Sequence, residues 1–73
     1  MFTVEEKKIL LKLGNKIRAL REEKLLSQFQ LAMEADIPKN QVGRIERAEI
    51  NTTILTLSNI AKALNVDVKD FLL

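Results

Sequence analysis

The N-terminal part of the chain carries apolar side chains every three or four residues, which is the period of an amphipathic helix. These apolar positions are Ile9, Leu10, Leu13, Ile17 and Leu20. Thr3 and Glu6 have the spacing of a capping box, so the pattern predicts a long helix over about Val4–Lys24. Gly14 lies inside this helix and weakens it by roughly 1 kcal/mol relative to Ala. A close contact with another helix is one reason to tolerate a glycine there.

Residues 28–45 contain two shorter apolar stripes, separated by a break in the helical period. The stripes consist of Leu31, Ala32 and Ala35 before the break, and of Val42 and Ile45 after it. This pattern predicts two short amphipathic helices, with small alanines where the helices cross closely. Two such helices joined by a turn of a few residues are typical of a helix-turn-helix.

Local signals set the expected bounds of these two helices. Ser27 and Gln30 form a second capping box, which predicts helix two over about Gln28–Glu34. Asp36 tolerates the left-handed conformation better than most residues and marks the turn. We expect helix three over about Pro38–Arg47, because proline suits a first helical turn, where its missing N–H has no intrahelical partner.

The C-terminal segment predicts a fourth helix and a short fifth one. The buried stripe of helix four is Leu57, Ile60, Ala61 and Leu64. Thr52 or Thr53 is the expected N-cap, and Asn65 suits the C-cap. Asp67 is expected to cap a last helix that ends in Phe71, Leu72 and Leu73. No alternating segment of useful length appears, so we predict an all-α fold of five helices in one compact domain over residues 1–73.

Composition excludes several classes of function. The 73 residues are 47% hydrophobic and contain no Cys and no His, which excludes disulfides, Cys or His metal sites, and a Cys or His nucleophile or base. There is no glycine-rich phosphate loop and no convincing group of carboxylates, so we expect no enzyme, no cofactor and no small-molecule substrate. No segment is suited to a signal peptide or a membrane span, and a cytoplasmic protein fits this composition.

The net charge of +2 is unevenly distributed. Residues 1–27 hold seven basic and four acidic groups, a net charge of +3, whereas residues 28–53 hold three basic and four acidic groups, a net charge of −1. Residues 54–73 are balanced. This charge distribution is therefore compatible with binding to nucleic acid but does not by itself indicate it.

Two runs of sequence carry a family resemblance. Ser27-Gln28-Phe29-Gln30-Leu31-Ala32 and then Val42-Gly43-Arg44-Ile45-Glu46-Arg47 resemble the phage-repressor or Cro-type family, also called XRE-like regulators. The likeness extends back to Leu13 and forward to Leu64. It implies a compact five-helix, repressor-like DNA-binding domain in which helices two and three form the helix-turn-helix. Residues 13–73 are then the repressor-like core, and residues 1–12 are an N-terminal helical extension.

The resemblance also implies which side chains contact double-stranded DNA. The positions that family members turn toward base edges are Lys39, Asn40 and Arg44, whose side chains suit guanine or adenine. The expected contacts to the DNA backbone are Gln28, Gln41, Arg47, Asn51 and, from helix one, Lys16. Arg21 and Glu46 resemble the internal ion pair of the family, which links helix one to helix three.

Several positions depart from the family pattern. Asp36 and Ala48 stand where glycine is common, and Pro38 replaces the Ser or Thr cap, so helix three is expected to lack a side-chain cap worth about 1 kcal/mol. Thr52 replaces a frequent proline, and Gly43 replaces a small polar residue on the DNA-facing helix. Together they predict a slightly strained or mobile recognition helix.

Some apolar residues have no obvious place in the core. They are Ile50, Leu55, Phe71, Leu72 and Leu73. We expect these residues to form the interface of a two-fold homodimer, which would place two recognition helices about 34 Å apart on a pseudo-palindrome.

Two functions remain open from the sequence. The first is a sequence-specific transcriptional regulator that binds duplex DNA as a homodimer. The alternative is a protein-interaction module on the same fold, antitoxin-like or an adaptor, with weak or lost DNA binding. Steep salt dependence would indicate DNA, since bound counterions are released. The extension at residues 1–12 is either a frayed surface helix or a segment that contacts a partner.

Overall fold

The computed structural model describes residues 1–72 and contains five helices and no strand over that range. The helices are α1 (Val4–Glu23), α2 (Gln28–Ala35), α3 (Gln41–Glu46), α4 (Ile54–Leu64) and α5 (Lys69–Leu72). The all-α prediction is therefore confirmed. None of the described helices combines the length and the apolar composition needed to cross a lipid bilayer.

Side-chain caps start three of the helices. The Thr3 hydroxyl accepts from the Glu6 amide at 3.1 Å while Glu6 accepts from the Thr3 amide at 2.9 Å, so α1 opens with the expected capping box. Ser27 and Gln30 do the same for α2. Of the two candidates for α4, Thr53 is the cap. These side chains satisfy backbone donors that would otherwise lack partners at the helix starts.

Helix α3 is shorter than expected. It begins at Gln41, so the prediction that Pro38 lies in its first turn is wrong. The Pro38 carbonyl instead accepts from the Gln41 amide at 3.0 Å, which makes residues 38–41 a turn that leads into the helix. No side chain caps α3, as the sequence predicted.

The first four helices all end with a residue in the left-handed conformation, and none of these residues is glycine. They are Leu25, Asp36, Ala48 and Asn65, with φ between 56° and 59°. After α2, for example, the Ile37 amide donates to Ala32 at 3.0 Å and the Asp36 amide donates to Met33 at 3.2 Å, the bond pair of a Schellman motif. Asp36 and Asn65 were expected in this role, whereas Leu25 and Ala48 were not.

One hydrophobic cluster draws side chains from all five helices. Its fully buried large members are Ile17, Leu31, Val42, Ile45, Ile60, Leu64 and Phe71. Helix α2 packs mainly on α4, while α1 packs on α3 and α5. The cluster therefore holds the two helices of the helix-turn-helix against the long first helix and the fourth one.

The expected set of dimer residues needs correction. Phe71 is completely buried in the core, so it is unavailable for contact with a second chain. Ile50 is half-buried and packs on the same cluster. Leu55 and Leu72 are 74% and 55% exposed, and Leu73 lies outside the described residues. Among the members of this set that the structure describes, Leu55 and Leu72 are thus the exposed ones.

Candidate nucleic-acid interface

Helix α3 divides its side chains between the core and the surface. Val42 and Ile45 are buried in the hydrophobic cluster, and Glu46 is buried at the same face. Arg44 points the other way and remains about half exposed. Because the apolar pair fixes the rotation of this short helix, Arg44 is held on its outer surface.

The two other candidate base-reading residues precede α3. Lys39 and Asn40 are exposed and lie in the turn between Pro38 and Gln41. The Asn40 side chain makes no capping bond, so its amide group is not used by the helix start. The structure thus leaves the polar groups of Lys39, Asn40 and Arg44 accessible, with two of them in the turn rather than on the helix.

Arg44 and Arg47 share an acidic neighbour that sequence reasoning missed. The Arg47 Nε donates to Glu49 Oε2 at 2.7 Å, and the Arg44 Nε lies 3.9 Å from Glu49 Oε1. The hydrogen bond raises the pKa of Arg47 and lowers the pKa of Glu49 from their ordinary values. Both pairs are open to solvent, so they contribute little to stability, and a phosphate group can compete for the same guanidinium.

The sequence spacing of Glu49 gives no hint of these pairs. Residues two and five positions apart do not face each other on a helix. The left-handed residue Ala48 reverses the chain and brings Glu49 back beside α3. The one available signal was Ala48 itself, which stands where the resembling family often has glycine.

Gln28 and Arg47 converge over a residue without a side chain. A Cβ added to Gly43 would lie 2.8 Å from Arg47 Nη1 and 2.9 Å from Gln28 Oε1. Gly43 is itself buried, so it lies beneath these two side chains. Gln28 is anchored as well, because its Nε2 donates to Glu46 Oε1 at 3.0 Å. The glycine therefore makes room for two candidate phosphate ligands to meet.

The remaining candidate contacts are more dispersed. Gln41 is half-buried, and within residues 1–72 its Oε1 is buried without a hydrogen-bond partner. Lys16 is exposed on α1. Asn51 is exposed in the loop before α4 and lines a groove of about 230 Å³ beside the start of α1. The structure thus groups Gln28, Arg44 and Arg47, and places Asn51 at the N-terminal end of α1.

Arg21 and Glu46 form a buried ion pair between α1 and α3. The Arg21 Nε donates to Glu46 Oε2 at 2.7 Å, and its Nη2 donates to Glu46 Oε1 at 3.1 Å. The Arg21 Nη1 also donates to the Leu26 carbonyl at 2.8 Å. The hydrogen bond to Glu46 raises the pKa of Arg21 above its ordinary value, although burial opposes that shift. Since these side chains are only 10% and 2% exposed, the pair lies inside the fold, where it links α1 to α3.

Comparison with known proteins places this arrangement in a family. The helix-turn-helix family (HTH_3) matches residues 17–71. The control protein C.SmaI of Serratia marcescens is 40% identical over 60 residues, which are 82% of this chain and 71% of that protein. The immunity repressor protein of Bacillus phage phi105 is 38% identical over 55 residues, or 75% of this chain. The chain spans only 38% of the length of that repressor.

A solved structure shares the fold. The restriction-modification controller protein C.AhdI of Aeromonas hydrophila matches with a TM-score of 0.83 and 32% identity, over 85% of this chain and 94% of the other. The family match covers α2, α3 and α4 in full, together with the last seven residues of α1 and α5 up to Phe71. This chain belongs to the helix-turn-helix family of DNA-binding regulators (HTH_3).

Proposed function

We propose that this protein is a sequence-specific transcriptional regulator that binds double-stranded DNA as a homodimer, with α3 in the major groove. The observation that carries the proposal is the division of α3, which buries Val42 and Ile45 and leaves Arg44 exposed beside an accessible turn. Such a helix can enter a groove without loss of its packing. The relatives, an immunity repressor and control proteins, support a regulatory role.

The exposed side chains supply the chemistry for reading bases. Arg44 and Lys39 can donate to guanine O6 and N7, and Asn40 can pair with the N6 and N7 of adenine. Each good bidentate pair is worth about 1–3 kcal/mol of discrimination against the wrong base. In this proposal the three residues determine which operator is bound.

Contacts to the DNA backbone set the position of the protein on the duplex. We assign them to Gln28, Gln41, Arg47, Asn51 and Lys16. Arg47 is the strongest of these candidates because its guanidinium is exposed and lies next to Gln28 over Gly43. On binding, the Arg47 guanidinium exchanges the Glu49 carboxylate for a phosphate oxygen. Little free energy is lost with the Glu49 pair, because that pair is exposed to solvent.

Arg44→Ala should weaken binding to the operator by about 1–3 kcal/mol and relax the preference at one base pair, because a bidentate contact to guanine is lost. The operator is first obtained by selection of bound duplexes from a random DNA pool. Affinities for the selected duplex and for single-base variants are then titrated. Arg18→Ala on α1 is the matched control, since it removes the same charge from an exposed i,i+4 pair. Equal losses on every sequence would disprove base reading by Arg44.

Leu55→Glu should convert the homodimer to a monomer, because we assign the dimer surface to the exposed Leu55 and Leu72 with half-buried Ile50 at its edge. A charge buried without a partner opposes association. Light scattering at high micromolar concentration measures the mass. Ile9→Glu, at an exposed apolar position on α1, is the control and should remain dimeric. A monomeric wild-type protein would contradict the proposed dimer.

One observation favours a second function, a protein-interaction module on the same fold. Residues 28–53 hold three basic and four acidic groups, and even without the buried Glu46 they carry no net positive charge, which is unusual for a segment that binds DNA. The two functions differ in their response to salt. Affinity for DNA should fall steeply as salt rises, whereas an apolar contact with a protein should be insensitive to it.

A further inference from the structure

A long-range hydrogen bond joins the N-terminal extension to the turn that follows α3. The Lys7 Nζ donates to the Ala48 carbonyl oxygen at 2.7 Å, across 41 positions of sequence. Lys7, Gly14 and Arg21 are seven residues apart and therefore share one face of α1. At Gly14 an added Cβ would lie 2.6 Å from the carbonyl oxygens of Ile45 and Glu46, and Arg21 binds the Glu46 side chain. This face of α1 therefore contacts the end of α3 and the Ala48 turn at three positions along the helix, and Lys7 is the position nearest the start of α1.

The carbonyl that Lys7 binds belongs to the turn that ends α3. Ala48 has φ of 59°, and its amide donates to the Ile45 carbonyl at 3.0 Å. The Glu49 amide donates to the Arg44 carbonyl at 2.9 Å. These bonds form a Schellman motif around a residue that disfavours the left-handed conformation. An ammonium group at this position both satisfies the Ala48 carbonyl and complements the negative end of the helix dipole.

The first turn of α1 is well anchored, so Lys7 lies on a formed helix rather than a frayed one. The capping box of Thr3 and Glu6 fixes the helix start, and the Lys7 amide donates to the Thr3 carbonyl at 2.9 Å. Leu10, one turn further on, is buried. The extension precedes residues 17–71, which are the segment that matches the family. The contact is therefore supplied by a part of the chain outside that match.

We propose that Lys7 is a positioning residue for DNA binding, which holds the Ala48 turn and thereby fixes the direction of Arg44 and Arg47. The inference rests on the proposed function, because it takes α3 to be the helix that enters the major groove. Arg47 and Glu49 are the neighbours of Ala48 in the sequence, and Arg44 lies one helical turn before it. With the Ala48 carbonyl released, the end of α3 samples more conformations, and binding must restrict them again.

The test compares Lys7→Met with Lys8→Met. Lys8 carries the same charge one residue away, is exposed, and its side chain makes no hydrogen bond within residues 1–72, so its substitution controls for the loss of charge. Each variant is titrated with the selected operator and with an unrelated duplex over a range of salt concentrations. Hydrogen exchange of the Glu49 amide is measured without DNA, and Lys7→Arg is made as the conservative rescue.

We expect Lys7→Met to bind the operator about fivefold more weakly than Lys8→Met, to expose the Glu49 amide to faster exchange, and to be rescued by Lys7→Arg. The salt slope of Lys7→Met should equal that of Lys8→Met, since Lys7 positions other residues. A slope smaller by roughly one unit would instead make Lys7 a phosphate ligand and overturn the inference. If the two variants bind the operator with equal affinity, the inference about Lys7 is wrong while the proposed function stands. If the wild-type protein binds neither duplex, the proposed function itself is wrong and the inference falls with it.

Discussion

Replacement of Gly14 by Ala is expected to destabilise the fold by about 3 kcal/mol, although Ala favours an isolated helix over Gly by about 1 kcal/mol. An added Cβ would lie 2.6 Å from the carbonyl oxygens of both Ile45 and Glu46, and 2.9 Å from the Glu46 carbonyl carbon. These are backbone atoms at the end of α3, which can yield only if α1 and α3 separate. Their separation would disturb the buried Ile17 and Ile45 as well. Urea denaturation followed by circular dichroism measures the free energy of unfolding.

Gly43→Ala provides the matched control for this prediction. The Cβ at position 43 would meet only Arg47 Nη1 and the amide end of Gln28, which are the far ends of flexible side chains. Arg47 can rotate away, whereas movement of Gln28 gives up its hydrogen bond to Glu46 and offsets the gain in helix propensity, so Gly43→Ala should change stability by less than about 1 kcal/mol. If Gly14→Ala proves as stable as Gly43→Ala, then the close approach of α1 to the end of α3 is wrong.

Local chemistry made most of the helix starts predictable. The two capping boxes place the starts of α1 and α2 at Val4 and Gln28, because each depends on side chains three residues apart. The interpretation of Gly14 as a close helix contact holds for a similar reason, since an unexplained glycine inside a helix needs a packing cause. The predicted start of α3 was wrong because Pro38 suits a β-turn as well as the first turn of a helix.

Contacts that depend on tertiary structure were not predictable in this way. Phe71 seemed to lack a place in the core because that place is formed only when α5 packs on α1. Leu25 and Ala48 adopt the left-handed conformation although neither residue favours it, and the packing of the adjoining helices overrides that preference. The turn at Ala48 brings Glu49 beside Arg47 and places the Ala48 carbonyl within reach of Lys7. The candidate residues for DNA contact could be named from the sequence by its family resemblance, whereas Glu49 and Lys7, which contact Arg47 and the Ala48 turn, could not.

Arg21→Met is expected to cost about 3–5 kcal/mol of stability and to lower the melting temperature by roughly 15 °C or more, because it leaves the Glu46 carboxylate buried without its cationic partner. Glu46 is only 2% exposed and would retain just the hydrogen bond from Gln28 Nε2. Such a loss is a large share of the stability of a small domain. Thermal and urea denaturation of the same samples give the two quantities.

A double-mutant cycle separates the energy of the pair from the cost of an orphaned charge. Arg21→Met combined with Glu46→Met removes both charges and should recover most of the lost stability, since apolar side chains can replace a buried pair. Arg18→Met breaks the exposed pair with Glu22, in which the side chains are 61% and 58% exposed, and should cost less than about 1 kcal/mol. Well below its melting temperature, Arg21→Met should keep the base preference of the wild-type protein, because Arg21 supports α3 from behind. A changed preference would show instead that this pair sets the direction of Arg44, and would move Arg21 from the architecture of the fold to the recognition of DNA.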